Sequence, residues 1–280
     1  MDRALSTHLF VDRKLTPAIL QQVEEAGLPA VEIFCARQHF DYADPAQVRE
    51  LSAWFADHEL ELRSLHAPMY SDFEWGHSGS QAVVNLAELE PVHRQESLDQ
   101  VKRALDVSER IPFRYMVLHV GVRGESFEPK KFDAALASLE TLLAFARPRG
   151  VQLLLENTRN ELSTPQRLRA FIDSLGFDAL RVCFDVGHAH LCGSVEAHFE
   201  LLRDLVVSTH VHDNHGLDDD HLFPFQGSID WEATMRTLTS AAGDFPLQLE
   251  LRDYGEFPRP LEKALEIFAR LEELVPAPQL

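Results

Sequence analysis

The feature that most constrains the fold is an alternation of short β-type runs with helical segments, repeated eight times along the chain. The runs lie at residues 4–10, 30–34, 62–66, 115–120, 151–156, 180–185, 205–210 and 247–252. Such alternation is typical of parallel strands joined by helical crossovers. Eight units within 280 residues favour a closed barrel over an open doubly wound sheet. We therefore predict one α/β domain over residues 1–280, a closed (β/α)8 TIM barrel.

The boundaries of the helices support this interpretation. A capping residue followed by proline marks a helix start at Thr16–Pro17, Asp44–Pro45 and Thr164–Pro165, and Asp230 is a further candidate cap. No G-x-G-x-x-G follows the first strand, so we expect no nucleotide cofactor. The longest connection, residues 67–90, carries Phe73 and Trp75, and we predict that both cover the active site as a lid.

Composition narrows the class of partner. Lys and Arg number 26 against 45 Asp and Glu, a formal net charge of −19, which disfavours nucleic acid and suits a small-molecule enzyme. Three cysteines with no C-x-x-C pair indicate a reducing compartment. With no apolar leader and no membrane-length apolar run, we expect a cytoplasmic protein without membrane contact. The oligomeric state stays open, with a homo-oligomer as one outcome.

Polar side chains stand at the carboxyl ends of six successive strands, the end where barrel enzymes have their active sites. They are His66, His119, Glu156, Asp185, His210 and Glu250, on strands 3 to 8 in that order. Strand side chains alternate between the barrel interior and the helix-facing side. If Glu156 points inward, Leu153 and Leu155 face the helices. The same parity holds for Asp185 and Glu250, so all six polar groups are expected in one pocket.

Carboxylates that converge without compensation shift their pKa values or bind a cation. Two glutamates, one aspartate and one histidine form an oxygen-rich donor set, predicted to hold Mn²⁺, Mg²⁺, Co²⁺ or Zn²⁺. Glu156, Asp185, His210 and Glu250 are these candidate ligands. The segment THVHDNHGLDDDH (209–221) adds His212, Asp213, His215 and Asp218, which we expect on the loop surface or in support of the ligands. His8 and Glu32, near the ends of strands 1 and 2, fit hydrogen-bonded core positions.

Ordered along the chain, these segments resemble the xylose-isomerase-like TIM-barrel superfamily, which includes sugar isomerases, epimerases, inosose dehydratases and the endonuclease IV family. The segments are LHAP (65–68), LHVG (118–121), LENT (155–158), FDVGH (184–188), THVHDN (209–214), DDHLFPFQGSIDW (219–231) and LELR (249–252). No single segment is specific, but their order and spacing together are. The isomerase pattern implies a metal at Glu156, Asp185, His210 and Glu250, with His188 facing the substrate.

The resemblance leaves alternatives. The endonuclease IV pattern adds His66, His119, His188, Asp219 and His221 to the four ligands, for three zinc ions in all, and every one of those positions has the required residue type. As a D-x-H pair, Asp219 and His221 fit either a further ligand set or a substrate clamp. Two departures count against the nuclease: Gln226 stands where that pattern has Glu, and the net charge is strongly negative.

The function that the resemblance implies is a divalent-metal-dependent sugar isomerase or epimerase. Glu156 and Glu250 would remove and return the α-proton through a metal-chelated enediolate, and His188 would orient the substrate. Further substrate contacts are expected from Glu32, Trp75 and Arg252. The alternatives are a sugar dehydratase or lyase, a zinc phosphodiesterase on abasic DNA, and a non-catalytic sugar-binding barrel.

Overall fold

Eight parallel β-strands form the centre of the protein. The computed structural model describes residues 1–176, 179–240 and 245–275. The strands are β1 (Arg3–Ser6), β2 (Ala30–Phe34), β3 (Glu61–His66), β4 (Tyr115–Leu118), β5 (Gln152–Glu156), β6 (Leu180–Asp185), β7 (Val206–His210) and β8 (Leu247–Leu249). All eight predicted strands are therefore present.

The strands are ordered as predicted for a (β/α)8 barrel. Each strand from β1 to β6 pairs in parallel with the next along the chain, and β8 pairs with β1. The last seam, between β7 and β8, is short. It is closed by a parallel bridge between Val211 and Leu249, in which the amide of Val211 donates to the carbonyl of Gln248 over 2.9 Å. The predicted single-domain TIM barrel is confirmed.

Helices surround the barrel within the described ranges. They are α1 (Pro17–Glu25), α2 (Pro45–Ala56), α3 (Pro91–Asp106), α4 (Pro129–Ala146), α5 (Pro165–Leu175), α6 (Val186–Leu191), α7 (Val195–Leu202), α8 (Trp231–Thr239) and α9 (Pro260–Glu273). Asp44, Thr164 and Asp230 each accept a backbone N–H at a helix start, as their sequence positions predict. Thr16 precedes α1 without a side-chain cap bond. None of the helices in this part of the chain has the length and apolar character needed to cross a membrane.

The core has two layers, and the strand parity inferred from the sequence is observed. Leu153 and Leu155 are fully buried between the barrel and the helices. Leu154 points the other way and packs inside the barrel with Val117 and Cys183. Each fully buried leucine contributes about 1.5–3 kcal/mol relative to an exposed one. This alternation fixes which side chains point inward, and so it aims Glu156 at the barrel axis.

Three strand ends differ from the sequence-based boundaries. β1 stops at Ser6, because residues Thr7–Phe10 turn into a short 3-10 helix in which the amide of His8 donates to the Ser6 hydroxyl. β4 ends at Leu118 and β8 at Leu249, so His119 and Glu250 lie one residue beyond their strands. Backbone that has left the ladder can still point side chains at the axis, and both residues remain on the cavity wall.

Candidate metal centre at the mouth of the barrel

A cavity of about 250 Å³ opens at the carboxyl ends of the strands. Every strand or the loop after it contributes to its wall, from His8 after β1 to Arg252 after β8. Of the polar strand-end residues, His66, His119, Glu156 and Glu250 line the cavity directly. Asp185 and His210 lie fully buried at its base. The predicted convergence of six strand ends on one site is therefore seen in the fold.

The four candidate ligands Glu156, Asp185, His210 and Glu250 form one cluster, which we call the carboxylate cluster. One ligand atom from each lies within 4.8 Å of every other. His210 is central: its Nδ1 is 3.3 Å from Glu156 Oε1 and 3.4 Å from Glu250 Oε2. All four residues are at most 2% exposed. Three carboxylates and an imidazole nitrogen are donors suited to a divalent cation.

The buried atoms of this cluster support a cation site. Glu156 Oε1, Glu250 Oε1 and His210 Nδ1 are each buried without a hydrogen-bond partner. Buried polar groups are satisfied in native structures, and an exception calls for an explanation such as an ion. These three atoms belong to one cluster, and a divalent cation that displaced the proton of His210 would be bound by all three together. The residues therefore fit the metal that the sequence predicts.

The partners of the histidines orient them for this role. His210 Nε2 contacts Glu32 Oε1 at 3.1 Å, which leaves Nδ1 for the cluster. His66, His188 and His221 each use Nδ1 on a backbone carbonyl, at 2.9–3.0 Å, and aim Nε2 inward. Ligand histidines in proteins are commonly fixed in this way, with the second ring nitrogen held by a carbonyl or carboxylate.

Charge balance within the site is carried by the histidines when no ion is bound. Burial opposes ionisation of Glu156, but the positive charges of His119 and His210 outweigh it and hold its pKa well below the usual range. Burial lowers the pKa of His221, yet Asp219 outweighs it and raises that pKa to about 9. Glu156 is thus an ionised acceptor. A bound cation would take over the compensation that protonated imidazoles provide.

A second group of donors, the histidine cluster, lies beside the first. It consists of His188, His212, Asp219 and His221, with ligand atoms again within 4.8 Å of one another. His188 Nε2 is 3.0 Å from Asp219 Oδ2, and His221 Nε2 is 3.5 Å from the same oxygen. Three imidazoles and one carboxylate match the donors of zinc sites. The D-x-H pair is therefore brought to the site, as its pattern suggested.

Two positions were expected for His212, on the loop surface or in support of the ligands, and the structure has it in the second. It is fully buried and belongs to the histidine cluster. Its Nε2 is 3.1 Å from Asp185 Oδ2 and 3.9 Å from Asp219 Oδ1, so it links the two clusters. The signal was present in the sequence, since His210 and His212 are two residues apart and share one face of an extended chain.

Asp213, for which the loop surface or a supporting position was expected, also has a supporting position. It is fully buried, and its carboxylate accepts hydrogen bonds from the indole of Trp231 and the amides of Phe225 and Ile229. These bonds fold the loop after β7 back over the strand ends. His215 and Asp218 are exposed, as expected. Asp213 is thus the residue that holds the loop carrying Asp219 and His221.

Two glycines permit the close packing around this loop. A Cβ on Gly187 would lie 2.0 Å from the His212 ring, and one on Gly227 would lie 2.3 Å from Asp213 Oδ1. No side chain fits at such distances, so both positions require glycine for close packing. His221 itself has a φ of +49°, which is uncommon for a residue with a Cβ. Strain of this kind is concentrated at functional sites.

A third group joins His66 and Glu156, which end β3 and β5, with His119, the residue after β4. His119 Nε2 is 3.1 Å and His66 Nε2 is 3.3 Å from Glu156 Oε2. Glu156 therefore belongs to two groups and can bridge them. The three groups together contain all nine residues of the endonuclease IV pattern described in the sequence analysis.

The remaining candidates have mixed positions. Trp75 lines the cavity and packs against Phe34 and His8. Phe73, predicted to cover the site with Trp75, is 61% exposed and does not line the cavity. Arg252 lines the cavity. Glu32 was a candidate for substrate contact, but its carboxylate lies beneath His210, bonded to His210 and Ser64. This position suits a residue that orients His210.

His8, expected in a hydrogen-bonded core position, instead stands on the cavity wall. Its ring is 4.6 Å from that of His221, and its Nδ1 is buried without a partner. Burial is the main reason that its pKa lies well below the usual range, so the imidazole is neutral. The hydrogen-bonded part of the expectation was wrong.

Comparison with known proteins identifies the class of protein. Residues 20–273 match the family model described as xylose isomerase-like TIM barrel. The chain therefore belongs to this family.

Two solved structures and one sequence relative are similar to this chain. A D-tagatose 3-epimerase-like protein superposes with a TM-score of 0.77 at 22% identity, covering 98% of both chains. The IOLI protein with a bound zinc atom gives a TM-score of 0.79 at 16% identity, again covering 98% of both chains. A probable endonuclease 4 of Natranaerobius thermophilus is 31% identical over 148 residues, 47% of this chain and 52% of that protein. The two structural likenesses show the fold alone.

Proposed function

We propose that this protein is a divalent-metal-dependent isomerase or epimerase of a keto or aldo sugar. The observation that carries the proposal is the carboxylate cluster, in which Glu156 and Glu250 come from different strands and share His210 between them. The names of structural neighbours such as D-tagatose 3-epimerase-like protein support the choice of sugars as substrates. Zinc in the IOLI protein supports a metal in this fold.

A bound divalent ion would supply positive charge that polarises the substrate carbonyl. The chain itself supplies the proton transfer. Glu156, on β5, and Glu250, just after β8, approach the cavity from different sides, each with a buried Oε1 that has no other partner. One carboxylate, in its ionised form, removes the α-proton and keeps it, while the other, which must carry a proton taken up from solvent, gives that proton to the opposite side of the carbon. Removal and return on opposite faces of the carbon inverts its configuration, as an epimerase requires.

Other side chains place the substrate. His188 is held by the carbonyl of Asn157 and lies 3.2 Å from Glu156 Oε1, close enough to orient a reacting hydroxyl. Trp75 covers the cavity from the loop after β3 and helps to exclude water. His66 and His119 contact Glu156 Oε2 and fix the direction of that carboxylate.

A second candidate is a zinc phosphodiesterase acting on abasic DNA. It is favoured by the three donor groups, which include all nine positions of that pattern, and by the partial match to a probable endonuclease 4. The net charge of −19 counts against it. The side chain of Gln226, where that pattern has Glu, is already bonded to the amide of Phe223 and to Glu256 in the segment after β8.

The test is exchange of the substrate α-proton with solvent. Protein purified without chelator is incubated in deuterated water with a panel of ketoses, and deuterium incorporation is followed by NMR. We expect at least one sugar to acquire deuterium, and epimerisation or isomerisation to accompany it. A dehydratase or lyase would begin with the same exchange but release an eliminated product, which the same spectra distinguish.

Metal analysis of the same preparation provides the second measurement. One ion per chain in the carboxylate cluster supports the isomerase or epimerase. Three zinc ions per chain, no exchange with any sugar and zinc-dependent nicking of abasic DNA together would replace this proposal with the phosphodiesterase. A barrel that binds sugar without exchange would be a non-catalytic binding protein.

A further inference from the structure

The charged side chains on the cavity wall, histidines aside, fall into two groups. Glu156, Asp219 and Glu250 all belong to the donor clusters at the base. The other three are arginines that follow the strand-end ligands of β4, β5 and β8 by two to four residues: Arg123, Arg159 and Arg252. In a chain with a net charge of −19, the rim beyond the metal ligands thus presents positive charge. A rim of this kind attracts an anionic ligand.

Arg252 is the arginine best prepared to bind an anion. Its guanidinium carbon lies 5.9 Å from the ring centre of Trp75 and 5.3 Å from that of Tyr254. Aromatic rings on a guanidinium fix its direction and leave its N–H groups available. The nearest carboxylate is that of Asp12, 64% exposed and 3.7 Å away. Arg252 Nε is buried and has no hydrogen-bond partner.

Other arginines of this protein show what a satisfied guanidinium looks like here. Arg3 donates through Nε and Nη2 to both oxygens of Glu272, at 2.7 and 2.6 Å. Arg37 does the same to Asp41, at 3.0 and 3.1 Å. Arg252 lacks such a bidentate partner, although its position on the wall is fixed. An anionic ligand in the cavity could take the position at the Arg252 guanidinium that a carboxylate takes at Arg3 and Arg37.

A second unused donor lies on the same wall. The indole Nε1 of Trp75 is buried without a hydrogen-bond partner. A buried indole N–H normally has a partner. Since the Trp75 ring stacks near Arg252 and lines the same cavity, its N–H and the guanidinium can serve a single anionic group.

We propose that the substrate carries a carboxylate or phosphate group at the end remote from the reacting carbonyl, and that Arg252 and Trp75 bind that group. The proposal rests on the proposed function, since it names the class of sugar: a sugar acid or a sugar phosphate. Such a group would receive charge-assisted hydrogen bonds from a guanidinium whose nearest carboxylate, that of Asp12, is exposed and 3.7 Å away.

Arg123 and Arg159 have a different part. Arg159 donates to the carbonyl of Leu217 at 2.5 Å, and Arg123 pairs with Asp218 at 2.9 Å, both on the loop after β7. Both side chains are exposed and tie that loop to the rim. Arg159, bonded to a neutral carbonyl, adds to the attraction of an anion at long range, whereas Asp218 balances the charge of Arg123. The anchoring contact is assigned to Arg252.

The test uses matched probes on Mn²⁺-loaded protein: D-fructose as the neutral sugar, D-fructose 6-phosphate as the phosphate and 5-keto-D-gluconate as the carboxylate. Binding is measured by calorimetry and α-proton exchange by NMR. We expect at least one anionic probe to bind about 10- to 100-fold more tightly than fructose, the effect typical of hydrogen bonds to a charged group. The probe that binds distinguishes the carboxylate from the phosphate.

Variants separate the arginine from direct contact between the anion and the metal. R252Q should abolish the preference for the anionic probe and raise the KM of that probe. R252K should restore part of the preference, because it keeps the charge but not the planar fork. W75F keeps the ring and removes only the N–H, so a smaller loss is expected. R236Q, which removes an exposed arginine of α8, is the matched control and should change nothing.

The outcomes distinguish this inference from the proposed function. Exchange with neutral ketoses and no tighter binding of either anion would overturn the inference and leave the function standing. Arg252-dependent binding of an anion without exchange would support the inference and count against the function. Arg252-dependent binding of an abasic oligonucleotide, with neither small anion preferred, would overturn the sugar-acid proposal in favour of a phosphodiester. An anion preference that survives in R252Q would also overturn it.

Discussion

The two donor clusters lie side by side, share contacts through His212 and Asp185, and are built in different ways. The carboxylate cluster stands on three strand ends and the residue after β8, so the barrel itself fixes its four side chains. The histidine cluster takes Asp219 and His221 from a long loop, which reaches the site because Asp213 bonds Trp231 and backbone amides. Oxygen donors dominate the first and imidazoles the second.

This difference has a chemical consequence. The carboxylate cluster contains hard oxygen donors, and two of its buried carboxylates each have one oxygen without a hydrogen-bond partner, a combination that suits both a metal and proton transfer. The histidine cluster has donors typical of zinc but a single carboxylate. We therefore expect chemistry to depend on the first cluster and metal affinity or loop position to depend on the second. Four predictions test this division, beginning with the largest effect.

Replacement of either glutamate of the carboxylate cluster should stop the reaction. We expect E156Q and E250Q each to lower kcat by about 100-fold or more, the scale of a removed general base. The measurement is α-proton exchange on an active sugar. E125Q is the matched control: Glu125 is a buried carboxylate that bonds Asn85 and the Val122 amide away from the donor clusters. Full activity in E156Q would remove Glu156 from the chemistry.

Loss of His212 should weaken metal binding without removing the base. We expect H212L to lower the affinity for one ion by about 10- to 100-fold, as for residues that support metal ligands. G187A offers a second route, because its methyl group would displace the His212 ring. Metal titration followed by elemental analysis is the readout. Unchanged affinity in both variants would reduce His212 to a packing residue.

Loss of His188 should have a smaller effect on turnover than loss of either glutamate. The imidazole contacts both Glu156 and Asp219, but it is not one of the two carboxylates to which we assign proton transfer. We expect H188A to reduce kcat/KM by about tenfold, on the order of one charge-assisted hydrogen bond, mainly through KM. If H188A equals E156Q in its effect on kcat, His188 takes part in proton transfer and the division between clusters fails.

The loop after β3 should show the smallest effect, and one that differs between two aromatic residues. W75A opens the cavity wall, so we expect a several-fold loss in kcat/KM, within the roughly 1–3 kcal/mol range of a lost apolar contact with substrate. F73A removes a mostly exposed side chain and should leave both constants unchanged. Steady-state kinetics on a confirmed substrate decides between a covering role and a surface role for Trp75.

The fold and the carboxylate cluster could be predicted because they follow from local and periodic features. Eight strand–helix alternations specify the barrel, and the two-residue period of a strand aims a terminal Glu156 or Asp185 inward once Leu153 or Phe184 faces the helices. Convergence at one end of a parallel barrel follows without any knowledge of distances. The D-x-H pair was recognised by resemblance, and its side of the cavity followed from its place after β7.

The rest depended on contacts between residues that are distant in sequence. Burial of His212 against Gly187, the position of Asp213 under its loop, the separation of Phe73 from Trp75 and the stacking of Arg252 on Trp75 are tertiary facts. No short-range pattern encodes them, because a loop has no fixed period and its direction is set by the bonds it makes. The sequence alone thus determined the barrel and the strand-end ligands, whose positions follow from regular backbone geometry. The tertiary structure decided how the loops complete the second cluster and which cavity donors remain free.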